Sequence, residues 1–125
     1  MTEYHPFAAA VAEHVFEVYG VAAEFPWENT PEHAVFRHST TKKWFALMLR
    51  ALPKRKLGLD EDGCVDVLNL KRDPLLTAVD YVGIFPAYHM NKEHWLSVRL
   101  DGTVPMEQVE WLIARSYALI AAKRG

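Results

Sequence analysis

Apolar residues recur at helical spacing from Pro6 to Tyr19, where Phe7, Val11, His14, Val15 and Val18 share one face. Pro6 suits the first turn, where its missing N–H would be unpaired anyway, and Gly20 is a natural stop. Phe25-Pro26-Trp27 cannot continue a helix and reads as a loop or a sheet edge. The period then shortens. Ala34–His38 and Lys43–Leu49 flank Ser39-Thr40-Thr41-Lys42, the pattern of a hairpin with a polar turn. Pro53 ends the second run, Lys56–Leu59 forms a short strand, and Asp62-Gly63 closes the next turn. Cys64–Leu70 carries apolar residues on both sides: Val65 and Val67, with Asn69, on one, Leu68 and Leu70 on the other. A strand covered on both faces belongs in the middle of a sheet.

Asp73-Pro74 opens a short helix that ends before Gly83, with Asp73 as its cap. Ile84–Tyr88 and Trp95–Leu100 are strands on either side of the polar segment His89-Met90-Asn91-Lys92-Glu93-His94, and Asp101-Gly102 is a turn. The last helix spans Pro105–Ala122 and buries Met106, Val109, Leu112, Ile113, Ser116 and Ile120. Glu107 and Glu110 near its start and Lys123 and Arg124 at its end complement the helix dipole. The expected architecture is α+β: a two-layer sandwich with an antiparallel sheet, the N- and C-terminal helices on one face, and a short inserted helix. The short strands leave their order open.

The chain has 125 residues and half of them are apolar, enough for one domain, 1–125, with a real core. Disordered, collagen-like and coiled-coil classes are excluded on composition. No apolar run is long enough to cross a membrane, and no secretory leader is expected. The single cysteine, Cys64, builds neither an internal disulfide nor a thiolate zinc site. A cytoplasmic monomer is the expectation, with Cys64 and His14 as core residues.

Net charge is −2, which speaks against a strongly basic nucleic-acid binder, but the charge is unevenly spread. Residues 1–36 hold six acids and no lysine or arginine, whereas residues 37–72 hold nine bases and four acids. A basic middle of this kind marks a polyanion partner or, more plainly, guards the edges of hairpins.

One octapeptide is distinctive: Tyr88-His89-Met90-Asn91-Lys92-Glu93-His94-Trp95. With Ala34-Val35-Phe36-Arg37, Lys43-Trp44-Phe45-Ala46-Leu47, Val67-Leu68-Asn69-Leu70-Lys71 followed by Asp73-Pro74, and Leu100-Asp101-Gly102 through Pro105, it spans nearly the whole chain. In these segments the sequence resembles the MmcQ/YjbR-like family of small bacterial proteins. The resemblance implies a CyaY-like, double-wing fold and a DNA-binding role in which β-hairpin wings lie against the duplex. It implies no catalytic residue and no cofactor. Relatives often carry a cysteine where this chain has Arg72, a departure that weakens any redox or metal role there and adds positive charge.

The candidate nucleic-acid-binding residues are Arg37, Lys42, Lys43, Lys54, Arg55, Lys56, Lys71 and Arg72, with His89, Asn91, Lys92 and His94 from the octapeptide. The cations neutralise phosphates, and Asn91 and the histidines donate to phosphate or sugar. Lys42 and Lys43 lie at a predicted hairpin tip and Lys54–Lys56 on a loop after Pro53, where wings would reach a backbone. Trp95 begins an apolar strand and is assigned to the core. The leading reading is a module that binds DNA weakly and without sequence preference, and is not an enzyme. The first alternative is a protein-interaction or small-anion-binding module on the same surface; protein binding predicts an exposed apolar patch, with Trp27 or Tyr88 as candidates. The second is a metal-dependent enzyme centred on His89 and His94, with Glu93 or His38 completing the shell. Glu13 and Glu17, one turn apart, are too few for a frataxin-like iron ridge, and no serine sits in a nucleophile elbow.

Overall fold

The structure, a computed structural model, describes residues 6–72, 82–88, 90–91 and 94–121. The elements are α1 (Pro6–Tyr19), β1 (Ala34–Arg37), β2 (Trp44–Pro53), β3 (Cys64–Lys71), β4 (Ile84–Pro86), β5 (Trp95–Arg99) and α2 (Met106–Ala121). The five strands form one antiparallel sheet in the order β1-β2-β3-β5-β4. The expected α+β architecture is therefore present, with β3 in the centre. The proposed helix after Asp73 falls on residues outside the described ones, as do Lys123 and Arg124.

Side chains alternate across the sheet, so each face builds its own core. Phe36, Ala46, Met48, Leu68, Leu70 and Val98 point to one face, where α1 brings Ala8, Val11 and Val15, and α2 brings Val109, Leu112, Ile113 and Ile120. Val35, Leu47, Leu49, Leu52, Val65 and Val67 form a second cluster on the opposite face, which neither α1 nor α2 covers. Partly buried Trp27, Trp44, Tyr88 and Met90 pack on that second cluster instead.

Two irregularities in β2 shape the sheet. Phe36 pairs with Ala46 but Arg37 pairs with Trp44, so Phe45 is an extra residue. Its carbonyl accepts the Ser116 hydroxyl at 2.6 Å, and the same hydroxyl accepts the Lys71 N–H at 2.9 Å. One buried serine thus ties α2 to two strands. Between Leu49 and Leu52 the ladder slips again. There Ala51 takes a positive φ of 55° and donates its N–H to Asp66 Oδ1 at 2.8 Å. Arg50 Nε lies 3.1 Å from the other Asp66 oxygen. A buried carboxylate paired in this way takes the place of the missing ladder bonds.

Four sequence expectations need correction. Val18 is exposed, because Tyr19, one full turn beyond Val15, takes the inward position and stacks on Tyr117 at 4.3 Å between ring centroids. His14 is half-buried rather than core, with Nδ1 3.6 Å from a Glu110 oxygen. Cys64 is exposed, as the first residue of β3 at the sheet's rim. The strand expected at Lys56–Leu59 is not formed, because Lys54–Leu57 is a 3-10 turn closed by Gly58 at a φ of 83°. The assignment of Trp95 to the core holds, since it is buried.

Candidate functional site

Strand register decides which cations meet. Arg37 opposes Trp44 at one end of β2, Lys71 opposes Trp95 across β3 and β5, and the Arg72 N–H donates to the His94 carbonyl at 2.7 Å. The His94 N–H in turn donates to the Asn91 carbonyl at 3.1 Å. Arg37, Lys42, Lys43, Lys71, Arg72, Asn91 and His94 therefore gather at one end of the sheet. Lys54, Arg55 and Lys56 sit past the other end of β2, beyond the irregularity at Ala51. His89 and Lys92 lie outside the described residues.

The hairpin tip at the first end is firmly built. The His38 Nδ1 accepts the N–H groups of Thr40 and Thr41 at 3.0 and 3.2 Å. Its ring stacks on Tyr117 at 4.0 Å, and Ser39 Oγ lies 2.8 Å from the Tyr117 hydroxyl. Burial lowers the His38 pKa below its ordinary value, which suits a neutral ring that accepts through Nδ1. Lys42 takes a positive φ of 66°, and Lys42 and Lys43 are both exposed. Arg37 Nε donates to Glu24 at 3.0 Å on the surface, and the Lys71 ammonium sits 5.0 Å over the Trp95 ring.

At the opposite end the cations are largely answered by acids. Arg55 contacts Asp60 at 3.3 Å and Asp62 at 2.8 Å, and Lys54 reaches Glu61 at 3.3 Å. Arg99 reaches the same Glu61 at 3.2 Å and Asp101 at 2.6 Å. Hydrogen bonds from Arg99 and then Lys54 lower the Glu61 pKa, and the hydrogen bond to Glu61, with one to Asp101, raises that of Arg99 against the opposing effect of burial. For Asp101 burial pushes the pKa up, but hydrogen bonds from Arg99 and Thr103 outweigh it and leave it lowered.

The metal reading gains nothing here. His38 is buried and occupied by backbone donors, and among the described residues no three histidine, cysteine or carboxylate side chains are grouped for a metal ion. His89 and Glu93 are outside those residues.

The residues that sequence reasoning passed over are Asn69 and Ser97. Both are fully buried, Asn69 on the face opposite α1 and α2. Ser97 Oγ donates to Asn69 Oδ1, Asn69 Nδ2 donates to the Tyr88 carbonyl at 3.0 Å, and the Tyr88 N–H donates back to Ser97 Oγ at 3.0 Å. This closed ring holds Tyr88 against the sheet. The one available signal was Asn69 at an inward position of an otherwise apolar strand.

The model of the family described as YjbR matches residues 16–119. The chain belongs to the YjbR family. A Bacillus subtilis relative, the uncharacterised protein YyaQ, is 43% identical over 111 residues, covering 87% of this chain and 93% of that protein. The crystal structure of a Pseudomonas syringae protein superposes with a TM-score of 0.84 at 40% identity, covering 89% of this chain and 96% of the other. A Deinococcus radiodurans protein, DR2400, described as carrying a DUF419 domain, gives a TM-score of 0.65 at 29% identity, covering 93% of this chain and 79% of its own. As a YjbR-family member the chain shares its two-layer fold with proteins whose names assign no activity. No helix among the described residues is long and apolar enough to cross a membrane.

Proposed function

We propose that this YjbR-family chain is a weak, sequence-independent DNA-binding module that uses one end of its sheet. The observation that carries the reading is the register that sets the Lys42-Lys43 hairpin tip beside the ends of β3 and β5. Lys42 and Lys43 are the leading phosphate contacts. Arg37 can exchange Glu24 for a phosphate at little cost, because an exposed ion pair is worth about 1 kcal/mol or less. Arg72, Asn91 and His94 flank that tip, and His89 and Lys92, outside the described residues, belong to the same octapeptide. Lys54 and Arg55 are left out of that surface because they lie at the opposite end of β2, beside Asp60, Glu61 and Asp62, whose carboxylates repel a phosphate backbone.

The test is fluorescence anisotropy with a labelled duplex at low salt, comparing the unaltered chain with Lys42→Ala/Lys43→Ala and with Lys54→Ala/Arg55→Ala. Binding should weaken at least tenfold in the first double variant and little in the second. Equal losses in both, or no binding by the unaltered chain, would remove this reading.

A further inference from the structure

The face of the sheet opposite α1 and α2 carries a feature that DNA binding does not use. A groove of about 520 Å³ runs over Leu47, Leu49 and Leu52 of β2. Trp27, Thr30 and His33 wall it on one side and Tyr88 and Met90 on the other, while Trp44 and Lys56 also line it. We propose that this groove binds a small aromatic anion, a flat apolar ring system bearing one carboxylate. The proposal is independent of the DNA reading.

Three observations support it. The first is that the groove is preformed. The Asn69–Ser97–Tyr88 ring of hydrogen bonds pins one wall. On the other side, Glu24 and Val35 exchange backbone hydrogen bonds at 3.0 and 2.9 Å, and the Arg50 N–H donates to His33 Nδ1 at 3.1 Å. A wall that is already ordered costs a ligand little on binding.

The second observation concerns size and shape. A volume of 520 Å³ lies in the range of small-molecule sites, whereas a single turn of a partner helix would fill it by itself. The Trp27 and Trp44 rings stand at 89° with centroids 5.8 Å apart, so a flat ligand meets one indole face and one indole edge.

The third is charge. Lys54 and Arg55 are engaged by Glu61, Asp60 and Asp62, but Lys56 makes no ion pair with any described residue. The neighbouring acids are thus occupied, and one ammonium group remains at an apolar, aromatic groove. A lone cation beside such a lining selects an anion with an apolar body.

The proposal is tested with 2-naphthoate and its neutral isostere 2-naphthamide, by amide NMR titration of the whole chain. Naphthoate should give saturable shifts on residues 44–53 and around Tyr88, with a dissociation constant tighter than about 1 mM. Naphthamide should bind about two- to fivefold more weakly. Lys56→Met should weaken naphthoate to the level of naphthamide and leave naphthamide unchanged. Arg55→Met, one residue away on the same turn, should change neither. Lys56 and Arg55 are surface residues, so both variants retain the fold, which the unshifted remainder of the spectrum verifies. No saturable shift, equal affinity for the two probes, indifference to Lys56→Met, or shifts centred on the helix face would each overturn the proposal.

Discussion

His38 shows how one side chain can set a turn. Neutral, it accepts two backbone N–H groups through Nδ1, whereas the imidazolium has no lone pair to offer them. Burial lowers its folded-state pKa beneath the ordinary value near 6.5, so the unfolded chain takes up the proton first. Its contribution to stability is therefore complete above that ordinary value and is lost as pH falls through the lower folded one. Tm should drop between pH 7 and pH 5. His38→Asn, which keeps a non-titrating acceptor, should narrow that drop, and an unchanged drop would assign the loss to other groups. Asn69 sets a second test. Asn69→Leu would strand the Tyr88 carbonyl and the Ser97 hydroxyl inside the protein, at a cost of about 2 kcal/mol. Denaturant unfolding should show that loss, and amide exchange at Tyr88 should quicken, because its bond to Ser97 loses the partner that orients the hydroxyl.

At the level of elements, α1 separates what periodicity can see from what it cannot. Phe7, Val11, Val15 and Val18 all fit a helical stripe in the sequence, yet Val15 is fully buried and Val18 is 58% exposed. The stripe's width follows from what the helix packs on, and the stack of Tyr19 on Tyr117 turns Val18 outward. Val15→Ala should cost about 2 kcal/mol through lost burial and the cavity left behind. Val18→Gln should stay within about 0.5 kcal/mol of neutral. A chemical denaturation series on the two variants separates them, and similar losses would place Val18 back in the core. The Lys54–Leu57 turn gives the converse lesson. Its residues suit an exposed strand, but Gly58 at positive φ and the Arg55 pairs to Asp60 and Asp62 curl it back on the following loop.

For the molecule as a whole, the sheet sorts the charge. A basic middle segment looks continuous in sequence, but β2 carries its two halves to opposite ends of the fold. One half meets the ends of β3 and β5, and the other meets the acids of residues 60–62. On the proposed reading Lys42 and Lys43, the exposed pair at the first end, and Arg37 set the number of phosphates neutralised at about two or three. The affinity for duplex DNA should then fall roughly ten- to fortyfold between 50 and 200 mM salt, following a slope near −0.9 per phosphate. A much steeper fall would mean that both ends touch the nucleic acid. The net charge of −2 is consistent with this modest dependence.

Local chemistry settled a large part of this in advance. Pro6 and Gly20 bound α1, the inward stripe from Val109 to Ile120 matches α2, and the two-sided apolar pattern of Cys64–Leu70 put β3 inside the sheet. These features depend on neighbours a few residues apart, so the sequence contains them. The strand order, the slip that makes Phe45 an extra residue, the partners of Lys54 and Arg55, and the burial of Asn69 with Ser97 depend on residues far apart in the chain. Trp27, Trp44, Tyr88 and Lys56 are likewise scattered along it, and only the packing of loops over the face opposite α1 and α2 brings them around one groove.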